Sequence, residues 1–294
     1  MIVFISRLRR ELCEFAVIYK AEKEEGHIMK IFISADIEGT TGCTDWRETE
    51  LGSELYTRQQ KIMQQEVAAA CRGAVKGGAT EIYIKDAHDS ALNLSFEGLP
   101  REAHLIRGWC SSPDTMVAGV DESFAGAAFV GYHSPAGSCA SPLAHTSSYS
   151  KIYSLRINGE LCAEYDLYDM ACAQYGVPVL FLSGDENICR LAESRTQGIV
   201  TVATKYGVAG GTVNKHPDVV AEEIEERMAL AVAQRLARPR VQPEELVMDV
   251  TFKGHERARR GAWYPGAERL DDYTVRYVAK NFHDLLVAYM FIED

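Results

Sequence analysis

The chain has 294 residues, 47% of them hydrophobic and 25% charged, the balance of an ordinary globular protein with enough apolar material for a large core. Its formal net charge of −11 at pH 7 argues against nucleic-acid binding, which needs a basic face, and disfavours an anionic membrane surface as partner. The eight cysteines are scattered without a C-x-x-C pair, which fits a reducing cytoplasm better than a disulfide framework or a structural zinc site.

Residues 1–28 read as an N-terminal extension outside the core fold. Arg7, Arg9 and Arg10 are followed by no apolar run of signal-peptide length, because Glu11, Glu14 and Lys20 interrupt it. Residues 10–25 have the pattern of an amphipathic helix, while Met29 looks like a natural start. No stretch of the chain approaches the roughly 20 apolar residues of a membrane span.

From Met29 to Gly42 the sequence reads MKIFISADIEGTTG. The apolar run Ile31–Ile33 predicts a buried strand, and Asp36 and Glu38 follow its end two positions apart. Alternate side chains of an extended backbone point the same way, so the two carboxylates converge on one spot. Like charges held together need a shared proton or a cation. An isolated D-x-E is more simply a pair of solvated loop acids, and only the rest of the chain overturns that reading.

Tyr56 to Lys76 predicts a helix, stopped by Gly77-Gly78. Glu81–Lys85 predicts a second strand, ending in Asp86-Ala87-His88, so the segment is a βαβ unit with parallel strands. A short strand is expected around His104–Ile106, and a strong apolar run, 125–130, ends in Gly131-Tyr132-His133. A loop rich in Gly, Ser and Pro leads to Ala144-His145-Thr146. Ile152–Ile157 predicts a strand, Asn158-Gly159 a two-residue hairpin turn, and Glu160–Tyr175 a helix carrying Glu164. Val177–Leu182 and Val200–Thr204 predict further strands. Residues 204–214, with Gly207, Gly210 and Gly211, look like a linker. Beyond it come a helix over 219–236, strands over 246–252 and 274–278, and a closing helix over 282–292. The expected fold is a three-layer α/β sandwich with a mostly parallel central sheet over 29–205, plus a smaller C-terminal α/β domain over 206–294.

Three predicted strands, at 31–35, 82–84 and 125–130, each end in metal-competent residues: Asp36 with Glu38, His88 beside Asp86, and His133. Open α/β sheets bind ligands outside the carboxyl ends of parallel strands. Mixed imidazole and carboxylate donors suit zinc, ahead of manganese or iron. The donors exceed what one catalytic zinc uses, and a pair of ions bridged by one carboxylate would use them all. Asp36, nearest its strand end, is the natural bridge. Asp86 is either an orienting group behind a ligand or a simple turn cap.

The runs SADIEGTTG, KDAHDS, GYHSPAG, AHT and NGELCAEYDL, in this order, resemble the DppA-type zinc D-aminopeptidases. The resemblance spans Met29 to the last helix and is strongest up to Asp185. It implies a metallo-aminopeptidase with two zincs per subunit that removes N-terminal D-amino acids, of the D-alanine type, from short peptides by a metal-activated water. It also implies a decamer of two pentameric rings. Carried over by motif, Asp36, Glu38, His88, His133 and Glu164 are the implied metal ligands. Asp36 would bridge, with Glu38 and His88 on one zinc and His133 and Glu164 on the other. Glu160 is a rival to Glu164, because it too follows Asn158-Gly159. His145 is the implied catalytic histidine. The sequence departs from the family pattern at residues 1–28, at Asp89 and at the basic run Arg257–Arg260.

His27, His104, His216, His255 and His283 read as structural or surface residues, and Lys205 as a surface lysine with a weaker claim on a substrate carboxylate. Three other functions compete, one of them a structural shell protein that keeps the ring assembly without catalysis, against which the full donor set speaks. Gly39-Thr40-Thr41-Gly42 after a strand could cradle phosphate in a non-catalytic flavodoxin-like module, although the adjacent acids oppose an anion there. A metal-dependent phosphoesterase would use the same donors.

Overall fold

A computed structural model describes residues 28–294. Residues 1–27, with the candidate helix over 10–25 and His27, lie outside the described residues. Among the described residues the strands are β1 (Lys30–Ala35), β2 (Glu81–Asp86), β3 (Ala103–Ile106), β4 (Phe124–Tyr132), β5 (Ile152–Ile157), β6 (Glu160–Leu161), β7 (Val179–Asp185), β8 (Val200–Val208), β9 (Gly211–Asn214), β10 (Leu246–Phe252), β11 (Ala267–Arg269) and β12 (Thr274–Ala279). The α-helices are α1 (Tyr56–Lys76), α2 (Glu164–Gln174), α3 (Glu186–Arg195), α4 (Pro217–Gln234), α5 (His255–Gly261) and α6 (Phe282–Glu293).

The larger sheet runs β3-β2-β1-β4-β7-β8-β9. Its strands are parallel except β9, which folds back against β8. The order reverses between β1 and β4, since successive units are added to one side of β1 and then to the other. Such a switch point opens a crevice at the carboxyl ends of the two central strands. Here that crevice receives the residues after β1, β2 and β4.

The sheet is covered on both faces, as its continuous apolar strands require. On one face Ile31, Ile33, Ile82, Ile84 and Val130 pack beneath α1 and α4. On the other, Phe32, Phe129 and Tyr132 pack with α2, α3 and the second sheet. That sheet, β11-β12-β10-β5-β6, is antiparallel. The molecule is therefore a layered α/β structure on a mostly parallel sheet, as expected from the sequence.

Two expectations change, and one helix is added. Glu160–Tyr175 is not one helix. Asn158 and Gly159 both take positive φ, the geometry of a tight hairpin, and return Glu160 and Leu161 as β6 against β5. The helix then starts at Glu164. The glycines at 207–211 are the β8–β9 hairpin rather than a linker, with Lys205 opposite Asn214 and Val208 opposite Gly211. β5 pairs with β10 and β6 with β5, so the second sheet draws strands from both sides of residue 205. Finally, α3 goes unread in the sequence. Asp185 ends β7 and also caps α3 by accepting from the Ile188 N–H at 3.0 Å, so strand and helix share one residue.

Candidate metal centre

The centre forms where the loop after β1 meets the end of β4. The Gly39 N–H donates to the Gly131 carbonyl at 2.7 Å. A Cβ on Gly39 would stand 1.7 Å from the Tyr132 carbonyl oxygen, and Gly131 has φ +75°. Only glycines let the two backbones approach this closely. Lys205, Thr204 and Glu66 fix the loop from below. The Lys205 ammonium is buried and donates to the Glu38 and Cys43 carbonyls. The Thr204 hydroxyl donates to the Gly39 carbonyl at 2.6 Å, and the Glu66 carboxyl accepts from the Thr41 N–H at 2.8 Å. Lys205 is thus neither a surface residue nor free to meet a substrate, because β8 delivers it to the interior.

All six expected site residues are buried and converge. His88 Nδ1 lies 3.2 Å from Asp36 Oδ1 and 3.1 Å from Glu38 Oε2. His133 Nε2 lies 3.4 Å from Asp36 Oδ2 and 3.3 Å from Glu164 Oε2. The two oxygens of Asp36 therefore face different imidazoles. His145 stands slightly back, its Nε2 3.7 Å from Glu164 Oε1 and 4.0 Å from Glu38 Oε1, with its ring stacked on His133 at 4.1 Å. Glu160, the rival for the fifth position, is solvent-exposed and pairs with Arg195.

Each imidazole is oriented by a main-chain carbonyl on its far side. His88 Nε2 contacts the Thr49 carbonyl at 2.8 Å, His133 Nδ1 the Ser134 carbonyl at 3.0 Å, and His145 Nδ1 the Leu143 carbonyl at 2.9 Å. A carbonyl only accepts, so these nitrogens carry the proton. In the neutral form of each ring the inward nitrogen presents a lone pair to the centre, the tautomer a metal ligand requires. Glu164 is set by the Ser147 N–H, which donates to its Oε1 at 2.6 Å, and stands in the first turn of α2, where the helix dipole favours a carboxylate. Asp86 accepts from the Asn93 and Leu94 N–H groups at 2.6 and 2.8 Å. It holds the loop that carries His88 without touching the imidazole.

Burial works against every charge here, yet opposite charges at contact distance outweigh it. Asp36 is held well below the usual carboxylate range by His133 and His88, and Glu164 is lowered mainly by His133. His88 is raised well above the ordinary imidazole range by Glu38 and Asp36, and His133 by Glu164 and Asp36. His145 differs, because burial and then the His133 charge lower it and favour its neutral form. Glu38 Oε2 and His133 Nε2 remain buried without a hydrogen-bond partner, which is unusual for polar atoms at such depth. His133, His145 and Glu164 offer donor atoms within 4.8 Å of one another, and so do Asp36, Glu38 and His133. Three inward imidazole nitrogens and three carboxylates fit a divalent cation with nitrogen and oxygen ligands, zinc above all.

The centre forms the floor of a cavity of about 730 Å³. Trp46 lies edge-on to His145, with ring centroids 5.1 Å apart, and stacks on Tyr149 at 4.1 Å. Neither this aromatic wall nor the Thr49 carbonyl is signalled by any local sequence pattern, since loop contacts of this kind carry no periodicity. Lys205 has only a faint signal, a charge on a strand otherwise reading as apolar.

The sequence model of a family described as D-aminopeptidase matches residues 29–291. A D-aminopeptidase of Bacillus subtilis (strain 168) is 31% identical over 267 residues, covering 89% of this chain and 94% of its own. The solved structure of the zinc-dependent D-aminopeptidase DppA from Bacillus subtilis, a self-compartmentalizing protease, superposes with a TM-score of 0.84 at 28% identity, covering 90% of this chain and 96% of that one. Together with the strand-end cluster of carboxylates and imidazoles, the matches establish that the chain belongs to the D-aminopeptidase family of metallopeptidases.

Proposed function

We propose that this protein is a dinuclear-zinc aminopeptidase that removes N-terminal D-amino acids, of the D-alanine type, from short peptides. One observation carries the reading: the two oxygens of Asp36 face His88 and His133 separately, and each ring is turned inward by a carbonyl behind it. Asp36, Glu38 and His88 would hold one ion, and Asp36, His133 and Glu164 the other. Bound zinc supplies Lewis-acid polarisation of a carbonyl and brings the pKa of water toward neutrality.

The chain's own residues do the rest. His145, kept neutral by burial, has its Nε2 directed to the space between Glu38 and Glu164, where it can accept a proton and pass it to the departing amine. The Leu143 carbonyl holds its Nδ1–H, so the proton moves only at Nε2. Trp46 and Tyr149 close one side of the cavity and limit water beside the reacting group.

The relative's self-compartmentalizing assembly supports a closed oligomer here, which we take to be a decamer of two pentameric rings. The seven described cysteines are free thiols, in keeping with a reducing cytoplasm. No helix among the described residues is long and apolar enough to cross a membrane. The decisive experiment is metal analysis of the purified protein together with hydrolysis of D-Ala-D-Ala and L-Ala-L-Ala. About two zincs per chain and preference for the D-peptide are expected. Zinc-free activity, or activity confined to a phosphate ester, would overturn the reading.

A further inference from the structure

The cavity above the centre is electrostatically lopsided. Its floor holds Asp36, Glu38 and Glu164, and its walls add Glu50, Asp89 and Glu293. Among the described residues that line it, Lys151 is the one lysine or arginine. Its root is fixed at the entry to β5: the Lys151 N–H donates to the Ser148 carbonyl at 3.3 Å, and its own carbonyl accepts from the Lys253 N–H at 2.8 Å. Its ammonium makes only long ion pairs, 3.7 Å to Glu293 and 4.0 Å to Asp294, and stays partly exposed. A flexible, strongly hydrated point charge held this loosely is free to exchange partners. Glu293 gains little from the pairing, since burial raises its pKa in spite of Lys151.

A short peptide carries a positive amine at one end and a carboxylate at the other. In this cavity the amine has many carboxylates to face. Away from the floor, Lys151 is the one lining lysine or arginine that offers the free carboxylate a positive charge. The segment 145–151 joins His145 to Lys151 along one wall, through Tyr149, so the two ends of a short substrate would be read by one stretch of chain.

We propose that Lys151 binds the C-terminal carboxylate of the substrate peptide and so restricts the enzyme to short peptides with a free carboxyl end. The proposal rests on the peptidase reading above and adds the residue that sets substrate class. It requires Lys151 to release Glu293 and Asp294 when peptide enters, and it makes the C-terminal end of α6 part of the binding cavity.

The test compares D-Ala-D-Ala with its C-terminal amide, in the zinc-loaded wild type and in Lys151→Met and Lys151→Arg. In the wild type kcat/KM should favour the free acid by about tenfold or more, mainly through KM, as expected for one charge-assisted contact. Lys151→Met should collapse that acid-to-amide ratio toward one, and Lys151→Arg should keep most of it. A wild type that hydrolyses acid and amide equally overturns the inference and leaves the peptidase reading intact, whatever the variants do. A ratio unchanged in Lys151→Met also overturns it. A wild type that hydrolyses neither peptide overturns the peptidase reading itself.

Discussion

His145 differs from the other two imidazoles of the centre in two ways. It is the ring whose pKa is lowered, by burial and by the neighbouring His133 charge, and it lies farther from the carboxylates. A proton carrier needs its neutral form at working pH, whereas a ligand needs a lone pair aimed at the ion. His145→Ala should therefore lower kcat by about 10²–10⁴-fold with zinc content unchanged, as metal analysis beside steady-state kinetics would reveal. Zinc lost together with activity would make His145 a ligand instead. Glu66 offers a second test at this scale. Burial pushes its carboxyl up to about 8 from an ordinary 4.5, against the Thr41 N–H and the Lys205 charge. Since the folded value is the higher, the folded state holds this proton more tightly. The stability it contributes is full below about 4.5 and is lost as pH rises through about 8. Glu66→Gln keeps an acceptor for the Thr41 N–H and removes the charge. Urea melts at pH 5 should show little change, while those at pH 8.5 should show the variant more stable by about 1–2 kcal/mol.

Helix α1 shows how an element's packing outranks its local propensity. It lies against α4 so closely that a Cβ on Gly73 would stand 2.5 Å from the Glu225 carbonyl oxygen and 2.8 Å from Met228 Cβ. The Arg72 guanidinium reaches Glu225 at 2.6 Å beside that contact, and Lys76 joins it. In an isolated helix Gly→Ala gains about 1 kcal/mol. Here the added carbon meets backbone, which cannot rotate away, and overpacking of this kind costs about 1–3 kcal/mol. Gly73→Ala should therefore lower the unfolding free energy, and a chemical denaturation series that found it raised would refute the close contact. The same contrast explains what the sequence disclosed. The strands β1, β2, β4 and β10 and the helix α1 carry strong apolar runs or periodicity, so their bounds are legible within a residue or two. The β8–β9 hairpin was hidden because its glycines mimic a linker, and the short β6 because Glu160 and Leu161 continue into helix-forming sequence. The candidate ligands after β1, β2 and β4 follow from strand ends, a local signal. Lys205 and the Thr49 carbonyl act across sequence distances that no local pattern reports.

At the scale of the whole molecule, the centre must be tolerable to the fold with and without metal, and its protons are what make that possible. In the metal-free chain Asp36 and Glu164 sit low in pKa, and His88 and His133 sit high, once burial is outweighed by their mutual attraction. The two kinds of group act in opposite pH directions. Carboxylates with lowered values stabilise the fold above their ordinary range, and that contribution is lost as pH falls through their folded values. Imidazoles with raised values stabilise it fully below about 6.5, and that contribution is lost as pH climbs through their folded values. The metal-free protein is thus best balanced in mild acid, where carboxylate and imidazolium are both charged. A cation must displace the imidazole protons to reach the inward nitrogens, so its affinity rises with pH. Chelation should abolish activity yet leave the circular dichroism of the sheet and helices unchanged, because imidazolium charges take over the neutralisation of Asp36, Glu38 and Glu164. The gain in Tm on adding zinc should be small at pH 5.5 and grow steadily toward pH 8, as the protonated centre gives way. Thermal melts with and without zinc across that range decide the matter. A gain independent of pH would mean that the ions bind elsewhere, and a gain that shrank with rising pH would contradict proton displacement at His88 and His133.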